Sequence, residues 1–126
     1  MIRVGLGEDL HLLVPDRQLI LGGVNIPYEF GLLGHSDADV ILHAVSDALL
    51  GAISSGDIGT YFPPNDPAFK DIDSKKILAF CLGLVKKKGF HLVNVDIVIK
   101  LEKPKLRPYV EEIRRSVAEV LGVERD

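Results

Sequence analysis

The chain has 126 residues, which suits one domain, and 47% of them are apolar, enough to bury a core. A formal charge of −3 argues against a general nucleic-acid binder, which needs a surplus of Lys and Arg. The single cysteine, Cys81, excludes an internal disulfide and suits a reducing compartment.

Residues 2–6 are apolar at alternate positions (Ile2, Val4, Leu6), which predicts a strand. Leu19–Leu21 and Val24–Ile26 flank Gly22 and Gly23 and read as a short hairpin. Residues 36–54 predict the first long helix, with Ser36 and then Asp39 as a start resembling a capping box. Residues 56–67 predict a loop, because Pro63, Pro64 and Pro67 cannot continue a helix. Asp73 or Ser74 caps a second helix whose apolar face is Ile77, Cys81, Leu84 and Val85, with Gly89 just past its end. Lys86, Lys87 and Lys88 read as a solvated last turn, where cations suit the helix dipole. Residues 92–101 alternate again and predict a strand. Pro108 and Gly122 bracket a third helix with Val110, Ile113, Val117, Val120 and Leu121 on its apolar face.

This order predicts one α/β domain over residues 1–126. Ending on a helix leaves a sheet edge open, so a further strand is expected beyond Asp126. No secretory leader precedes the first strand, and no apolar run is long enough to span a bilayer. The expectation is a soluble cytoplasmic protein with no membrane contact. A plastid location is compatible with a removed transit peptide.

The first predicted helix is apolar almost all round: Val40, Ile41, Leu42, Ala44, Val45, Ala48, Leu49 and Ile53. Its polar exceptions are Asp39, His43, Ser46 and Asp47, in helical steps of three and four. A polar stripe on a buried helix needs partners, at about 1–3 kcal/mol for each unsatisfied group. Asp9 and His11 lie two apart after the first strand and point the same way if extended. With His43 from across the fold they make two imidazoles and a carboxylate, a donor set that suits zinc and leaves one coordination position open. Blander readings stand beside this one. The Asp9-x-His11 pair is also common surface polarity, and His43 is also explained as a core histidine bonded to a carbonyl. Asp39 fits a helix cap better than a ligand. Asp47 fits either a lysine partner or a support for the site. Gly5-x-Gly7 lacks the third glycine and the helix of a dinucleotide fingerprint. Cys81 reads as packing, and His91 stands alone.

Several segments together resemble the 2-C-methyl-D-erythritol 2,4-cyclodiphosphate synthase family. They are Val4-Gly5-Leu6-Gly7-Glu8-Asp9-Leu10-His11, the Leu21-Gly22-Gly23 to Ile26-Pro27 hairpin, and Gly34-His35-Ser36-Asp37-Ala38-Asp39-Val40 followed by His43 and Asp47. Gly56-Asp57-Ile58-Gly59, Phe62-Pro63, Asp66-Pro67, Asn94-Val95-Asp96 and Pro104-Lys105 continue the match in the family's order.

The resemblance implies a mixed β-sheet with helices packed on one face, in a homotrimer with active sites between subunits. It implies conversion of 4-diphosphocytidyl-2-C-methyl-D-erythritol 2-phosphate to the 2,4-cyclodiphosphate and CMP, in non-mevalonate isoprenoid biosynthesis. Asp9, His11 and His43 would hold Zn2+, and Mg2+ or Mn2+ would lie across the diphosphate. His35 would stabilise the transition state. Asp9, His11, His35 and Ser36 would contact the substrate phosphates and methylerythritol. Asp39 and Asp47 would support the metal ligands from behind. Asp57, Ile58 and Gly59, with Phe62, Pro63, Pro64, Asn65 and Asp66, match the loop for the diol and ribose. Leu101, Glu102, Lys103, Pro104, Lys105, Leu106 and Arg107 match the cytosine pocket. The first helix, apolar all round, is compatible with a subunit interface, and an isoprenoid diphosphate would fit the three-fold axis.

Ala38 stands where the family usually has glycine, with little consequence expected inside a helix. The family's Thr-Thr-x-Glu segment, with phosphate and second-cation contacts, has no counterpart up to Asp126. A chain ending there is expected to hold zinc and turn over poorly. The competing readings are a non-catalytic trimeric zinc protein that binds a nucleotide or isoprenoid diphosphate, and a zinc phosphohydrolase.

Overall fold

The computed structural model describes residues 1–126. Four short strands come first: β1 (Leu13–Pro15), β2 (Leu19–Leu21), β3 (Val24–Ile26) and β4 (Phe30–Leu32). The helices are α1 (Val40–Ala52), the short α2 (Ile58–Tyr61), α3 (Ser74–Lys87) and α4 (Val110–Leu121), with 3-10 turns at Pro67–Phe69 and Arg107–Tyr109. The fold is α/β.

β2 and β3 form the predicted hairpin, Leu19 opposite Ile26 and Leu21 opposite Val24. Gly22 and Gly23 have φ of 62° and 80°, the left-handed pair that a two-residue hairpin turn requires. β1 pairs antiparallel with β4. One core joins the hairpin to α1, α3 and α4. α4 contributes Ile113, Val117 and Leu121, one residue per turn, and keeps its charged face outward. α3 buries Ile77, Leu78, Cys81, Leu82 and Val85 against α1. Cys81 is packing, as expected, and burial pushes its thiol up to about 11. α1 is covered from within one chain, by α3 and β2 and by the close approach of residues 5 and 7. Its apolar circumference therefore needs no subunit interface.

Several expectations are corrected. Residues 2–6 and 92–101 make no backbone–backbone hydrogen bonds and belong to no strand ladder, so the mixed sheet is not formed among these residues. The side-chain face of the first segment lies on α1, and the backbone donors and acceptors along its edges meet no neighbouring strand. α1 starts at Val40 rather than residue 36, and Asp39 is its cap. Ala38 is outside the helix, buried, with φ of 59°, so the family's glycine would relieve a real strain there. Within residues 56–67, Asp57 caps α2 and Asp66 caps a 3-10 turn starting at Pro67. Asp73, not Ser74, caps α3. Lys88 is not merely solvated: its Nζ donates to Ile53 O at the end of α1.

Asp39 fastens the hairpin to α1. Its carboxylate accepts from Gly22 N (2.9 Å), Gly23 N (2.7 Å) and Leu42 N (3.1 Å). Burial pushes its carboxyl up to about 6, against those backbone N–H groups, which pull it down. A carboxyl raised above its unfolded value stabilises the fold while protonated. That contribution is complete below about pH 4 and is lost as pH rises through about 6. Asp39→Asn keeps the shape and cannot ionise. It is expected to remove a decline on the order of 3 kcal/mol between pH 4 and 7. Urea unfolding of both chains at pH 4.5 and 7 reads the two slopes. An equal decline in both would refute the assignment.

Candidate metal centre

The first segment alternates. Gly5, Gly7, Asp9 and His11 face inward and are partly buried, while Val4, Leu6, Glu8 and Leu10 face out. A Cβ on Gly5 would overlap the carbonyl oxygen of Ala48, and one on Gly7 that of Ala44. Ala44 and Ala48 are one helical turn apart. The two glycines thus lay the segment directly on the backbone of α1. The Gly5-x-Gly7 spacing is a packing device, not a nucleotide signature. Two further steps of two bring Asp9 and His11 to His43, near the start of the helix.

Asp9 Oδ2 lies 2.9 Å from His11 Nε2 and 3.1 Å from His43 Nδ1, and the two nitrogens are 3.3 Å apart. Tetrahedral zinc, with bonds of about 2.0–2.1 Å, holds its ligand atoms roughly 3.3 Å apart. The triangle therefore fits one face of such a site and leaves the fourth position to an outside ligand. Of the four histidines, His11 and His43 are the two that converge with a carboxylate in this way.

The far side of each ring is held. His11 Nδ1 donates to Leu33 O at 2.8 Å. A carbonyl only accepts, so the neutral ring keeps its lone pair on Nε2, toward the triangle. His43 Nε2 faces Ser74 Oγ at 2.8 Å and Ser36 Oγ at 3.1 Å, which leaves Nδ1 toward Asp9 and His11. Burial opposes the charge on Asp9, but hydrogen bonds from His11 and His43, donated when the nitrogens facing it carry a proton, outweigh it and hold the carboxyl well below the usual carboxylate range. The hydrogen bond to Asp9, opposed by burial, raises His11 above its ordinary value.

His35 is in the turn before α1, its Nε2 donating to Asp66 O at 2.7 Å. It thereby pins the loop that carries Phe62, Pro63, Pro64, Asn65 and Asp66. Phe62 packs edge-on against Phe69 and Phe80, with centroids at 5.1 and 5.3 Å. Asp57 caps α2 ahead of Ile58 and Gly59. Leu101, Glu102, Lys103, Pro104, Lys105, Leu106 and Arg107 form a half-exposed to exposed turn; their side chains make no hydrogen bond to the triangle or to that loop. The carboxylates of Asp39 and Asp47 make no hydrogen bond to the metal ligands. Asp39 is taken up by backbone N–H groups, and Asp47 accepts from Ile58 N at 2.9 Å. The groups behind His43 are Ser36 and Ser74, with Asp37 behind Ser74. Ser74 and Asp37 escaped the sequence reading because they meet across 37 positions. The one local sign was a second small polar residue beside the α3 cap.

Gly7→Ala tests the packing device. The added methyl must lift Asp9 and His11 from α1, and zinc affinity should fall by more than about 100-fold, beyond the loss usual for a group behind a ligand. Competition with a coloured chelator measures it. Affinity equal to the parent's would show that the close approach does not set the site.

The YgbB family model matches residues 2–126. The 2-C-methyl-D-erythritol 2,4-cyclodiphosphate synthase of Geobacillus kaustophilus is 58% identical over 125 residues, covering 99% of this chain and 79% of the relative. A solved synthase of that name superposes with a TM-score of 0.93 at 41% identity, covering 98% of this chain and 83% of the other. A second, described as bound to CDP, superposes with a TM-score of 0.92 at 39% identity, with the same coverage. Matched along nearly its whole length in sequence and in fold, the chain belongs to the YgbB family of 2-C-methyl-D-erythritol 2,4-cyclodiphosphate synthases.

Proposed function

We propose that the chain converts 4-diphosphocytidyl-2-C-methyl-D-erythritol 2-phosphate to 2-C-methyl-D-erythritol 2,4-cyclodiphosphate and CMP, as a phosphorus-oxygen lyase of isoprenoid biosynthesis. The observation that carries this reading is the open triangle of Asp9, His11 and His43 in a member of that family. An oxygen of the substrate's 2-phosphate attacks its β-phosphorus, the bond from that phosphorus to the bridging oxygen breaks, and CMP leaves with the electron pair. The attack is intramolecular, so the protein needs no nucleophile of its own. It folds the substrate and neutralises its phosphates. Zinc is the metal this donor set fits, held through Oδ2, Nε2 and Nδ1, and when bound it supplies Lewis-acid polarisation of a phosphate oxygen. The resemblance supports Mg2+ or Mn2+ as a second cation across the diphosphate.

In this reading His35 is the transition-state stabiliser. Its Nε2–H goes to the Asp66 carbonyl, so a neutral ring offers only a lone pair at Nδ1. Donation to a phosphate oxygen therefore requires the imidazolium. Asp57, Ile58, Gly59 and residues 62–66 take the diol and ribose in this reading, and residues 101–107 take the cytosine. The CDP-bound relative supports a nucleotide pocket on this fold.

A homotrimer belongs to the same reading. Ile2, Val4, Leu6 and Leu10 are 92%, 89%, 91% and 91% exposed, an apolar row on the outward side of the first segment interrupted only by Glu8. Val93 and Val98 are also exposed. Such a row in water favours association. The unpaired backbone of residues 2–6 and 92–101 is where a mixed sheet with helices on one face would close. An isoprenoid diphosphate on the three-fold axis would lie against this apolar side. No helix is long and apolar enough to cross a membrane.

Phosphorus NMR of the reaction mixture tests the activity. A cyclic diphosphate with CMP is expected; a linear phosphate product, or nucleotide binding without turnover, overturns the reading. His35→Gln is expected to lower kcat by about 100- to 1,000-fold with KM little changed. Leu6→Glu is expected to yield a monomer by light scattering; an unchanged trimer would remove this face from the interface.

A further inference from the structure

We propose that Ser74, held by Asp37, is a positioning residue for the metal centre: it takes the Nε2 proton of His43 and so commits the Nδ1 lone pair to the cation. The proposal rests on the metal reading of Asp9, His11 and His43.

The hydrogens can be followed one at a time. Ser74 N donates to Asp37 Oδ2 at 3.0 Å, and the Ser74 hydroxyl donates to Asp37 Oδ1. A carboxylate has no hydrogen to give, so the hydroxyl hydrogen of Ser74 is committed. What Ser74 Oγ offers to His43 Nε2, 2.8 Å away, is a lone pair. Nε2 must then carry the hydrogen. A neutral imidazole carries only one, so Nδ1 is bare.

Two neighbours would not enforce this by themselves. Ser36 Oγ, 3.1 Å from Nε2, accepts from Ala38 N and keeps its own hydrogen free, so it suits either tautomer. Asp9, 3.1 Å from Nδ1, favours the opposite one, with a proton where the cation belongs. Ser74 and Asp37 oppose that pull.

The hydroxyl of Ser74 is not the cap of α3. Asp73 caps α3 by accepting from Lys75 N at 2.9 Å. Ser74 is fully buried and His43 is 6% exposed, so bulk water does not replace the contact. Asp37 is itself fixed, its N–H donating to Ile72 O at 3.1 Å. The chain from Asp37 through Ser74 to His43 thus couples the first turn of α3 to a metal ligand on α1.

The test uses the full 126-residue chain, with zinc alone as the probe. Zinc dissociation constants come from chelator competition, and the His43 tautomer from nitrogen-15 NMR of the zinc-free protein. Ser74→Ala is expected to weaken zinc binding about 10- to 100-fold and to move the His43 proton toward Nδ1. Ser46→Ala is the control. Ser46, on the helix that carries His43, is an equally buried hydroxyl that donates to Leu42 O and not to His43, so its loss should leave zinc affinity within about twofold. Should Ser74→Ala not fold, Asp37→Asn tests the same link, because an amide can donate to Ser74 and free its hydroxyl hydrogen to turn toward His43. The proposal is overturned if the folded variant binds zinc within about twofold of the parent with Nε2 still protonated, or if Ser46→Ala loses as much. A parent chain that binds no zinc overturns the metal reading itself, and that result is seen before any variant is made.

Discussion

Gly5 and Gly7 let the first segment lie on the carbonyl oxygens of Ala48 and Ala44, closer than any residue with a Cβ would allow. Everything at the candidate centre depends on that approach. An extended segment turns every second residue the same way. Once two glycines face the helix backbone, the next two inward positions also face it, and these are Asp9 and His11. The helix carries His43 where they arrive. A donor atom of each of three residues, drawn from two remote stretches, then lies within 4.8 Å of the others. The absence of two methyl groups sets this distance, and the exposed row of Ile2, Val4, Leu6 and Leu10 is its reverse side.

Around α1, three aspartates do similar work at different places. Asp39 takes the hairpin N–H groups of Gly22 and Gly23. Asp47 takes the N–H of Ile58 at the start of α2. Asp37 takes the N–H and hydroxyl of Ser74 at the start of α3. Each binds a neighbouring element to the helix or its leading turn through groups that would otherwise be orphaned donors. Burial raises the carboxyl of Asp47 as it does that of Asp39, with the N–H partner opposing in each case. The polar stripe that looked like a site wall is in large part a set of fastenings, and only His43 turns to the metal triangle.

This explains which parts were legible in the sequence. The trio of Asp9, His11 and His43 rests on donor chemistry and on the resemblance to the family, whereas the hairpin, α3 and α4 follow from periodicity and glycine placement, which are local signals. The start of α1 did not, because Ser36 resembles a cap and only the three-dimensional turn shows Ala38 at positive φ with Asp39 as the cap. α2 and the turn at Pro67 are too short to leave a periodic trace. Residues 2–6 and 92–101 carry a strand's alternation without ladder bonds, because alternation reports which side is buried and not whether a neighbour supplies partners. Asp47 and Ser74 show the limit for side chains. One was expected behind the metal ligands and bonds Ile58 N instead, the other was expected at most as a cap and touches His43. Helical phase names the face a residue is on; it does not name the residue brought to that face from more than thirty positions away.

The charge state of the triangle follows from the same geometry. Asp9 is half-buried, which by itself would favour its neutral form, yet the two imidazoles keep it ionised far into acid. His11 gains the complementary benefit and holds a proton more firmly than a free histidine, chiefly through its bond to Asp9. That proton occupies the Nε2 lone pair that a metal ligand must offer. A cation and a proton therefore compete for one electron pair, and uptake of the cation displaces the proton wherever His11 carries it. Acid shifts the contest toward the proton as His11 titrates. Asp9 stays ionised through that range and remains available to whichever positive charge is present. The carboxylate thus stabilises a protonated His11 in acid and the cation at higher pH. The held far nitrogens, on Leu33 O and Ser74 Oγ, keep the rings from turning as one replaces the other.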